Sequence, residues 1–248
     1  MSPSLAPVSI SVKGVRKSFR RFEALRGVTL DFAAGRMHGV IGPEGSGKTT
    51  LLRILLGLLA PAEGSVEYFE GGRPVRYEDI RPRLAYMPQT QSLYADLSID
   101  EHLEFFRDLY SIPAAAYAAK REELLGITHL KEFIARPAGQ LSGGMYKKLG
   151  LMCALLRSPR VLVLDEPTTG VDPISRRELW DLLYRLLDQQ ILILVTTAYL
   201  DEAERCSMVH LFEQGALVAS GEPRALLAAE KAATFDELFL RRAGAEAA

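Results

Sequence analysis

A stretch of nine residues near the start of the chain combines residue types that bind phosphate groups. It fits the pattern G-x-x-x-x-G-K-[ST], in which glycines let the backbone curl until several N–H groups point into one concavity that attracts anions. We expect Lys48 to reach the outer phosphates and the Thr49 hydroxyl to ligate Mg²⁺. The stretch consists of Gly42, Pro43, Glu44, Gly45, Ser46, Gly47, Lys48, Thr49 and Thr50.

The segments on either side of this stretch suit the elements that such a loop requires. Residues 37–41 form a short apolar run that predicts a buried strand, and residues 50–56 predict a helix. The positive N-terminal end of that helix would face the phosphates. The competing interpretation is a chance match in a glycine-rich loop, and both flanking elements count against it.

Two adjacent carboxylates, Asp165 and Glu166, follow the apolar run at residues 161–164. Continuous apolarity predicts a strand buried on both faces, as in a parallel sheet, and ligands of such sheets bind beyond the carboxyl ends of the strands. We therefore expect Asp165 to hold Mg²⁺, directly or through water, and Glu166 to polarise an attacking water molecule. Alone, two adjacent acids are also typical of a solvated turn.

A second candidate phosphate site lies in residues 97–156, a region with helical periodicity. Ser142 is a potential N-cap, and Gly143 and Gly144 after it allow close approach at the start of a helix. By itself this signal is weak, because Ser-Gly-Gly is common in loops. Gln89, a polar residue at the end of a predicted strand, means equally little alone.

Size and composition bound the class of protein. The chain has 248 residues, 48% of them hydrophobic and 25% charged, which suffices for one large domain or a core with an inserted lobe. A net charge of −1 gives no overall field that attracts nucleic acid, so we expect no nucleic-acid partner. Cys153 and Cys206 lack the spacing of a disulfide framework or a zinc site. We expect no secretory signal in residues 1–7 and no apolar run near the roughly 20 residues that span a bilayer.

Taken together and in this order, these motifs resemble the nucleotide-binding domain of ATP-binding cassette (ABC) proteins over nearly the whole chain. Residues 141–145 match the segment known as the family's signature. This match is the most specific one, because other phosphate-loop proteins lack the segment. Phe19, which alone is more typical of ordinary core, lies at the position of the aromatic that stacks on adenine in this family. The other matches are residues 42–50 (Walker A), Gln89 (Q-loop), residues 141–145 (signature), residues 164–166 (end of Walker B) and Asp172 (D-loop).

The resemblance implies an α/β fold: a P-loop NTPase (RecA-like) core with a small N-terminal antiparallel β subdomain and an inserted α-helical subdomain. The ATP-binding core with the β subdomain would comprise residues 1–96 and 157–248, and the helical signature subdomain residues 97–156. Apolar–polar alternation between residues 8 and 32 fits the strands of the β subdomain. The sequences of residues 168–173 and 235–239 look most like those of ATPase subunits of drug- or polymer-exporting ABC transporters.

The resemblance also implies a mechanism. Two such domains face head to tail and sandwich two ATP molecules with Mg²⁺, so Ser142, Gly143 and Gly144 would contact the γ-phosphate of the partner's nucleotide. Closure on ATP would move transmembrane permease subunits that grip residues 91–110, which places the chain in the cytoplasm, peripheral to the inner face of the cell membrane. The family's catalytic residues correspond to Lys48, Gln89 and Glu166, and its Mg²⁺ ligands to Thr49, Gln89 and Asp165.

Two positions depart from the family pattern. Met145 stands where the signature usually has glutamine, which we expect to change only a peripheral contact. Ala198 stands where the family has a histidine that hydrogen-bonds the γ-phosphate, and we expect His210, in a later strand, to be structural. ATP binding should survive this change, but hydrolysis should slow, because one lost transition-state donor typically costs on the order of 10²–10³ in rate.

Several interpretations remain open at this stage. The chain is expected to be an ATPase subunit of an exporter, in one variant the slow half of a tandem protein or heterodimer. A soluble ABC ATPase acting on ribosomes or DNA would need a basic arm or a long insertion. A non-catalytic sensor that ATP merely dimerises is favoured by Ala198 and opposed by Asp165 and Glu166. The sequence does not predict the transported substrate or the identity of the permease.

Overall fold

The strands form two β-sheets in the computed structural model, which describes residues 6–246. The expectation about a secretory signal therefore falls mostly on residues outside the described part. In chain order the strands are β1 (Val8–Phe19), β2 (Phe22–Phe32), β3 (Met37–Ile41), β4 (Glu63–Glu70), β5 (Arg73–Val75), β6 (Leu84–Met87), β7 (Val161–Asp165), β8 (Leu192–Thr197), β9 (Met208–Glu213) and β10 (Ala216–Gly221).

The larger sheet has the order β10-β9-β3-β8-β7-β6. Its strands run parallel except for β10, which closes one edge as an antiparallel hairpin with β9. Residues of β3, β7 and β8 are buried throughout, as their continuous apolar sequences predict. Because parallel strands end at one edge, the segments after β3, β6, β7 and β8 meet there.

The smaller sheet is antiparallel, with the order β2-β1-β4-β5. Alternate residues of β1, namely Val8, Ile10 and Val12, are buried against the phosphate-loop side of the larger sheet, and the residues between them are more exposed. The period of two that indicated strands in this region is thereby confirmed. Its β1–β2 hairpin ends at Phe19 and Phe22, which are cross-strand partners.

Helices cover both faces of the larger sheet and fill the chain between β6 and β7. The capping box at Ser98 and Glu101 starts the first helix of that region, with Ser98 Oγ accepting from Glu101 N and the Glu101 carboxylate accepting from Ser98 N. The helices are α1 (Lys48–Leu55), α2 (Tyr77–Ile80), α3 (Ile99–Leu109), α4 (Ala114–Thr128), α5 (Gly143–Leu155), α6 (Pro173–Leu187), α7 (Pro223–Ala229) and α8 (Phe235–Glu246).

The expected fold class is confirmed: an α/β phosphate-loop core, an antiparallel β-sheet formed by the N-terminal segments, and helices inserted before β7. Within the described residues, none of the helices is both long and apolar enough to cross a bilayer. The helix expected from residue 50 begins earlier, at Lys48. The division of the chain at residues 96 and 156 stays a proposal.

A pair of buried histidines lies between two neighbouring strands of the larger sheet. His38 on β3 and His210 on β9 lie 2.9 Å apart between Nδ1 and Nε2, and Ser220 Oγ lies 2.8 Å from His210 Nδ1. Burial lowers the pKa of His38 to about 4 and that of His210 to about 3, so both rings are neutral at pH 7. In a neutral pair, one ring N–H can donate to the bare ring nitrogen of the other, so hydrogen bonds inside the fold engage both nitrogens of His210.

Candidate functional site

The phosphate loop, residues 42–50, curls between β3 and α1 because its glycines adopt backbone angles that other residues avoid. Gly47 has φ of +101° directly before α1, and a Cβ at this position would lie 2.4 Å from the carbonyl oxygen of Ala24. No side chain caps α1, so its first N–H groups are not used by a capping oxygen. Lys48 Nζ donates to the carbonyl oxygens of Gly42 (2.8 Å) and Pro43 (2.9 Å), which holds the ammonium group against the loop.

The electrostatics around Lys48 suit a ligand that brings negative charge. Burial lowers the pKa of Lys48, while the carboxylates of Glu166, Asp165 and Glu44 act in the opposite direction. An ammonium group that has lost part of its hydration gains more from a phosphate than one in water, because the local dielectric constant is lower.

Asp165 lies at the carboxyl end of β7, beside the start of α1. Its Oδ1 accepts hydrogen bonds from the hydroxyls of Thr49 (3.1 Å) and Thr196 (2.6 Å), and its Oδ2 accepts one from Tyr86 (3.2 Å). Burial, with the charge of Asp165 next in size, raises the pKa of Tyr86 to about 12, so the phenol stays protonated and remains a donor. Three hydroxyl donors therefore orient one buried carboxylate.

Glu166 changes the direction of the chain at the end of β7 and lines the cleft. Its backbone is left-handed (φ +48°), a conformation that costs roughly 1–2 kcal/mol for a residue with a Cβ. The backbone N–H of Glu166 donates to Thr196 Oγ1 (2.9 Å), and its carboxylate accepts from Gln89 Nε2 (2.7 Å) and Thr169 Oγ1 (3.2 Å). Gln89 and Glu166, 77 residues apart in sequence, are thereby joined directly.

A cleft of about 380 Å³ lies between the phosphate loop and the β1–β2 hairpin. Phe19 and Phe22 form its aromatic side, and their side chains are 47% and 55% exposed. Aromatic rings that remain exposed above a phosphate loop provide a flat surface on which a base can stack. The predicted site residues that line the cleft are Phe19, Glu44, Gly45, Gly47, Lys48, Thr49, Thr50, Gln89 and Glu166.

The remaining predicted site residues lie around the cleft or away from it. Within the loop, Gly42 and Ser46 are buried and Pro43 is exposed. Asp165 does not line the cleft but accepts a hydrogen bond from Thr49, which does. Ser142, Gly143 and Gly144 do not line this cleft.

Ser142 caps α5 by accepting a hydrogen bond from the Met145 N–H at 3.3 Å, as predicted. Ser142 and Gly143 are exposed, whereas Gly144 is buried against the start of α6. A Cβ at Gly144 would lie 2.3 Å from Ser175 Cβ, so the helix start fits its neighbour only without a side chain. The signature therefore presents an exposed helix start to the exterior of this chain.

Ala198 follows β8 and is exposed. None of the four histidines of the chain lines the cleft: His38 and His210 pair with each other, His102 contacts Ser98 O and Tyr94 N, and His129 is exposed. A histidine does not reach the cleft from elsewhere in the fold.

Four residues near the cleft were missed by sequence reasoning. Tyr86 and Thr196 donate to Asp165, Phe22 lines the cleft beside Phe19, and Lys147 on α5 approaches the backbone of Gln89 and Glu166. Phe22 carried a signal, because an aromatic three residues after Phe19 suits a two-residue hairpin. The other three become neighbours only through the order of β6, β7 and β8 and the packing of α5.

The chain is similar in sequence and in fold to known proteins. The sequence model described as "ABC transporter" matches residues 25–169. The chain is 46% identical over 220 residues to the probable multidrug ABC transporter ATP-binding protein YbhF of Escherichia coli K12, a match that covers 88% of this chain and 38% of that protein. The chain thus spans well under half the length of this relative.

A second relative matches over more of its own length. The Nod factor export ATP-binding protein I of Burkholderia lata is 37% identical over 231 residues, which cover 93% of this chain and 76% of that protein. A solved ATP-binding subunit of an ABC transporter superposes with a TM-score of 0.81 at 28% identity and covers 94% of this chain and 98% of its own.

Proposed function

The chain belongs to the ABC transporter family and is an ATPase domain of that family; from this premise we propose that it powers a membrane exporter by binding and hydrolysing ATP as one of two facing domains. The observation that carries the proposal is the convergence of the phosphate loop, Asp165, Gln89 and Glu166 at one edge of the parallel sheet. Export is supported by the names of relatives that act in multidrug transport or Nod factor export.

We propose that the cleft binds ATP with the adenine on Phe19 and the phosphates on the loop. The free N–H groups at the start of α1 and the ammonium group of Lys48 would surround the β- and γ-phosphates. Lys48 would exchange its two carbonyl partners for phosphate oxygens, which form stronger charge-assisted hydrogen bonds. Phe22 would form a second wall beside the base.

The donor set beside the loop fits Mg²⁺. Thr49 Oγ1 and Asp165 Oδ1 lie 3.1 Å apart, and Gln89, whose Nε2 donates to Glu166, keeps its amide oxygen for a cation. Oxygen ligands in small number suit an ion that otherwise takes phosphate and water. Among the described residues, no group of three or more His, Cys, Asp or Glu side chains forms another metal cage. When bound, the ion would neutralise charge on the phosphates.

Hydrolysis would depend on Glu166 as the group that accepts a proton from the attacking water. Its carboxylate is buried, lines the cleft and is oriented by Gln89 and Thr169. Gln89 would move away from Glu166 if its amide oxygen bound the cation, because the same amide group donates to the Glu166 carboxylate. This makes Gln89 the connection between nucleotide binding and the segment that follows it.

The signature residues support a dimer in which each cleft is completed by a second copy or a related domain. Ser142 and Gly143 are exposed at a helix start and lie outside the cleft of their own chain. Asp172 caps α6 through Oδ1 (3.1 and 3.0 Å to the N–H groups of Ile174 and Ser175), and the Ile174 side chain is 74% exposed. Because Ser175 packs against Gly144, the start of α6 would lie at the same interface as the signature.

A second surface supports attachment to permease subunits at the cytoplasmic face of the membrane. A groove of about 270 Å³ runs between β6 and the inserted helices, with Leu93, Phe106 and Tyr110 among its lining. Tyr94 and Leu109 nearby are 57% and 59% exposed. Pro88 and Thr90, the two sequence neighbours of Gln89, line the groove, so a movement of Gln89 would be transmitted to it.

Ala198 supports a second form of the same proposal, in which this chain is the slower half of a pair. Alanine lacks a side-chain donor for the γ-phosphate, and no histidine of the chain replaces it at the cleft. The chain would then supply Ser142 and Gly143 to a faster site on its partner. The sensor interpretation is less favoured, because Glu166 is held in a position suited to hydrolysis.

The test compares steady-state ATP hydrolysis by the wild type, Glu166→Gln and Ala198→His. We expect the wild type to exceed Glu166→Gln, and Ala198→His to raise kcat by up to about 10²–10³-fold, the usual range for one transition-state donor. A kcat that Ala198→His leaves unchanged would contradict the slowed site. A wild type no faster than Glu166→Gln, with Ala198→His equally inactive, would contradict hydrolysis by this chain.

A further inference from the structure

Two adjacent lysines on α5 are almost equally buried but have different surroundings. Lys147 is 9% exposed and Lys148 is 8% exposed. Lys148 forms an ion pair with Glu178 of α6 at 2.6 Å. Lys147 has no ion pair within the part of the chain that the structure describes, although burying an unpaired ammonium group is costly.

Lys147 Nζ instead approaches two backbone carbonyl oxygens, that of Gln89 at 3.3 Å and that of Glu166 at 3.4 Å. Burial lowers the pKa of Lys147, and the charges of Glu166 and Asp165 act in the opposite direction. Two nearby carboxylates thus favour the charged form of a lysine that lacks a direct carboxylate partner. The Lys147 amino group lies between two backbone carbonyl oxygens.

These two carbonyls belong to the residues whose side chains meet at the cleft. Gln89 Nε2 donates to the Glu166 carboxylate at 2.7 Å, and Lys147 approaches the backbone of the same two residues. Glu166 is in a left-handed conformation, held at its N–H by Thr196 (2.9 Å) and at its carbonyl by Lys147. Strained backbone persists only where its surroundings determine it.

We propose that Lys147 is a positioning residue for hydrolysis: its ammonium group joins the helix that carries the signature to the backbone of Gln89 and Glu166 and so holds the Glu166 carboxylate toward the nucleotide. The inference rests on the proposed role of Glu166. It assigns two functions to the start of α5. Ser142 faces outward and would contact a partner's nucleotide, and Lys147, about 1.4 turns later, faces inward and positions Glu166.

The test replaces Lys147 with methionine, which keeps most of the side-chain volume and removes the charge and the donors. The expected result is a kcat lower by about 10- to 100-fold with KM for ATP within about threefold of the wild type, because small displacements of a catalytic group have effects of this size. Lys148→Met is the matched control, since it removes an equally buried ammonium group from the same helix. It should leave kcat unchanged.

Hydrogen exchange provides a second measurement that does not depend on turnover. In Lys147→Met, amides in residues 88–93 and 165–170 should exchange faster than in the wild type and in Lys148→Met, because two loops lose a common partner. Equal exchange in the three proteins would overturn the proposal, as would an unchanged kcat or an equal loss of kcat in Lys148→Met.

The two measurements separate this inference from the function on which it rests. If the wild type is no faster than Glu166→Gln, hydrolysis by this chain fails, and exchange alone decides whether Lys147 holds the two segments. If the wild type is active and Lys147→Met matches it in kcat, the positioning role fails while the ATPase stands.

Discussion

The glycine-containing starts of α1 and α5 differ in whether a side chain caps their first N–H groups. α1 follows Gly47 without a side-chain cap, and the adjoining ammonium group of Lys48 lies against the loop. α5 follows Ser142, whose own hydroxyl accepts from the Met145 N–H. The first lies within a cleft lined by Glu166, and the second faces outward.

We propose that the two helix starts are anion sites with different functions. A helix start without a cap leaves its N–H groups open to water or to an anionic ligand. Beside α1, the carboxylates of Asp165 and Glu166 would hold the cation and accept the proton of the attacking water. A capped helix start needs no ligand for its stability. Its hydroxyl and remaining N–H groups could still contact a nucleotide that a partner domain carries. We therefore expect α1 to determine whether ATP binds and α5 to determine whether a second domain closes on it.

The largest effect should come from Lys48→Met on the α1 side. Removing the ammonium group takes away the only cation that lines the cleft in the described part of the chain. ATP turnover should fall at least about 100-fold, as for other lost transition-state donors, and ATP affinity should fall with it. Turnover and fluorescent-nucleotide binding are the measurements, with Lys48→Arg as a charge-retaining comparison. Nucleotide affinity unchanged by Lys48→Met would remove the distinction between the two helix starts.

Ser142→Asp should remove most of the turnover without loss of ATP binding, a smaller combined effect than that of Lys48→Met. Aspartate is as good an N-cap as serine, so α5 should keep its stability, while the added negative charge repels an incoming phosphate. Binding of ATP by single chains should match the wild type, since Ser142 does not line their cleft. Weakened binding by this variant would place the signature in the site of its own chain.

Mixing these two inactive variants gives the sharpest form of the comparison. A dimer of Lys48→Met with Ser142→Asp has one site whose phosphate loop and signature are both intact. Random pairing makes roughly half of the dimers mixed, and each mixed dimer has one intact site of two. The mixture should therefore show roughly a quarter of the activity of the unmutated dimer. The mixture is measured in the wild-type or Ala198→His background, whichever is faster. No restoration would exclude a symmetric dimer and favour a distinct partner domain.

A moderate effect on stability is expected from Gly144→Ala. The new Cβ would lie 2.3 Å from Ser175 Cβ, so α5 and α6 must move apart, which typically costs about 1–3 kcal/mol. Gly150→Ala on the same helix is the control: its Cβ would meet Met87 at an ordinary 3.7 Å, and alanine favours helix by about 1 kcal/mol. Denaturant unfolding should give opposite signs, and equal signs would show that packing on α6 is not why Gly144 is glycine.

Much of this comparison was available from the sequence, because its signals are local. The strand before Gly42, the cap at Ser142 and the capping box at Ser98 each depend on a few adjacent residues. The alternation of apolar and polar residues in β1 is likewise a property of one segment. Local propensity and periodicity suffice for such features.

The rest required the order of strands in the sheet. Tyr86, Thr196 and Asp165 belong to β6, β8 and β7, and their hydroxyl–carboxylate bonds exist only because these strands are neighbours. Lys147 lies on a helix whose sequence looks like an ordinary core helix, and its contacts depend on how α5 packs against the ends of β6 and β7. Neither set has a spacing in sequence that would indicate it.

The smallest effect should come from Ser142→Ala, and it separates the cap from the function of the signature. Loss of the bond to the Met145 N–H should cost about 1 kcal/mol of unfolding free energy, with Ser98→Ala, which breaks a capping box in the same region, as the reference for cap loss. Turnover should fall in Ser142→Ala and stay unchanged in Ser98→Ala, although both lose a cap, because only Ser142 is exposed where a partner's nucleotide would lie. If the two variants lose stability and turnover in parallel, Ser142 acts only as a cap, and α5 differs from α1 in stability alone.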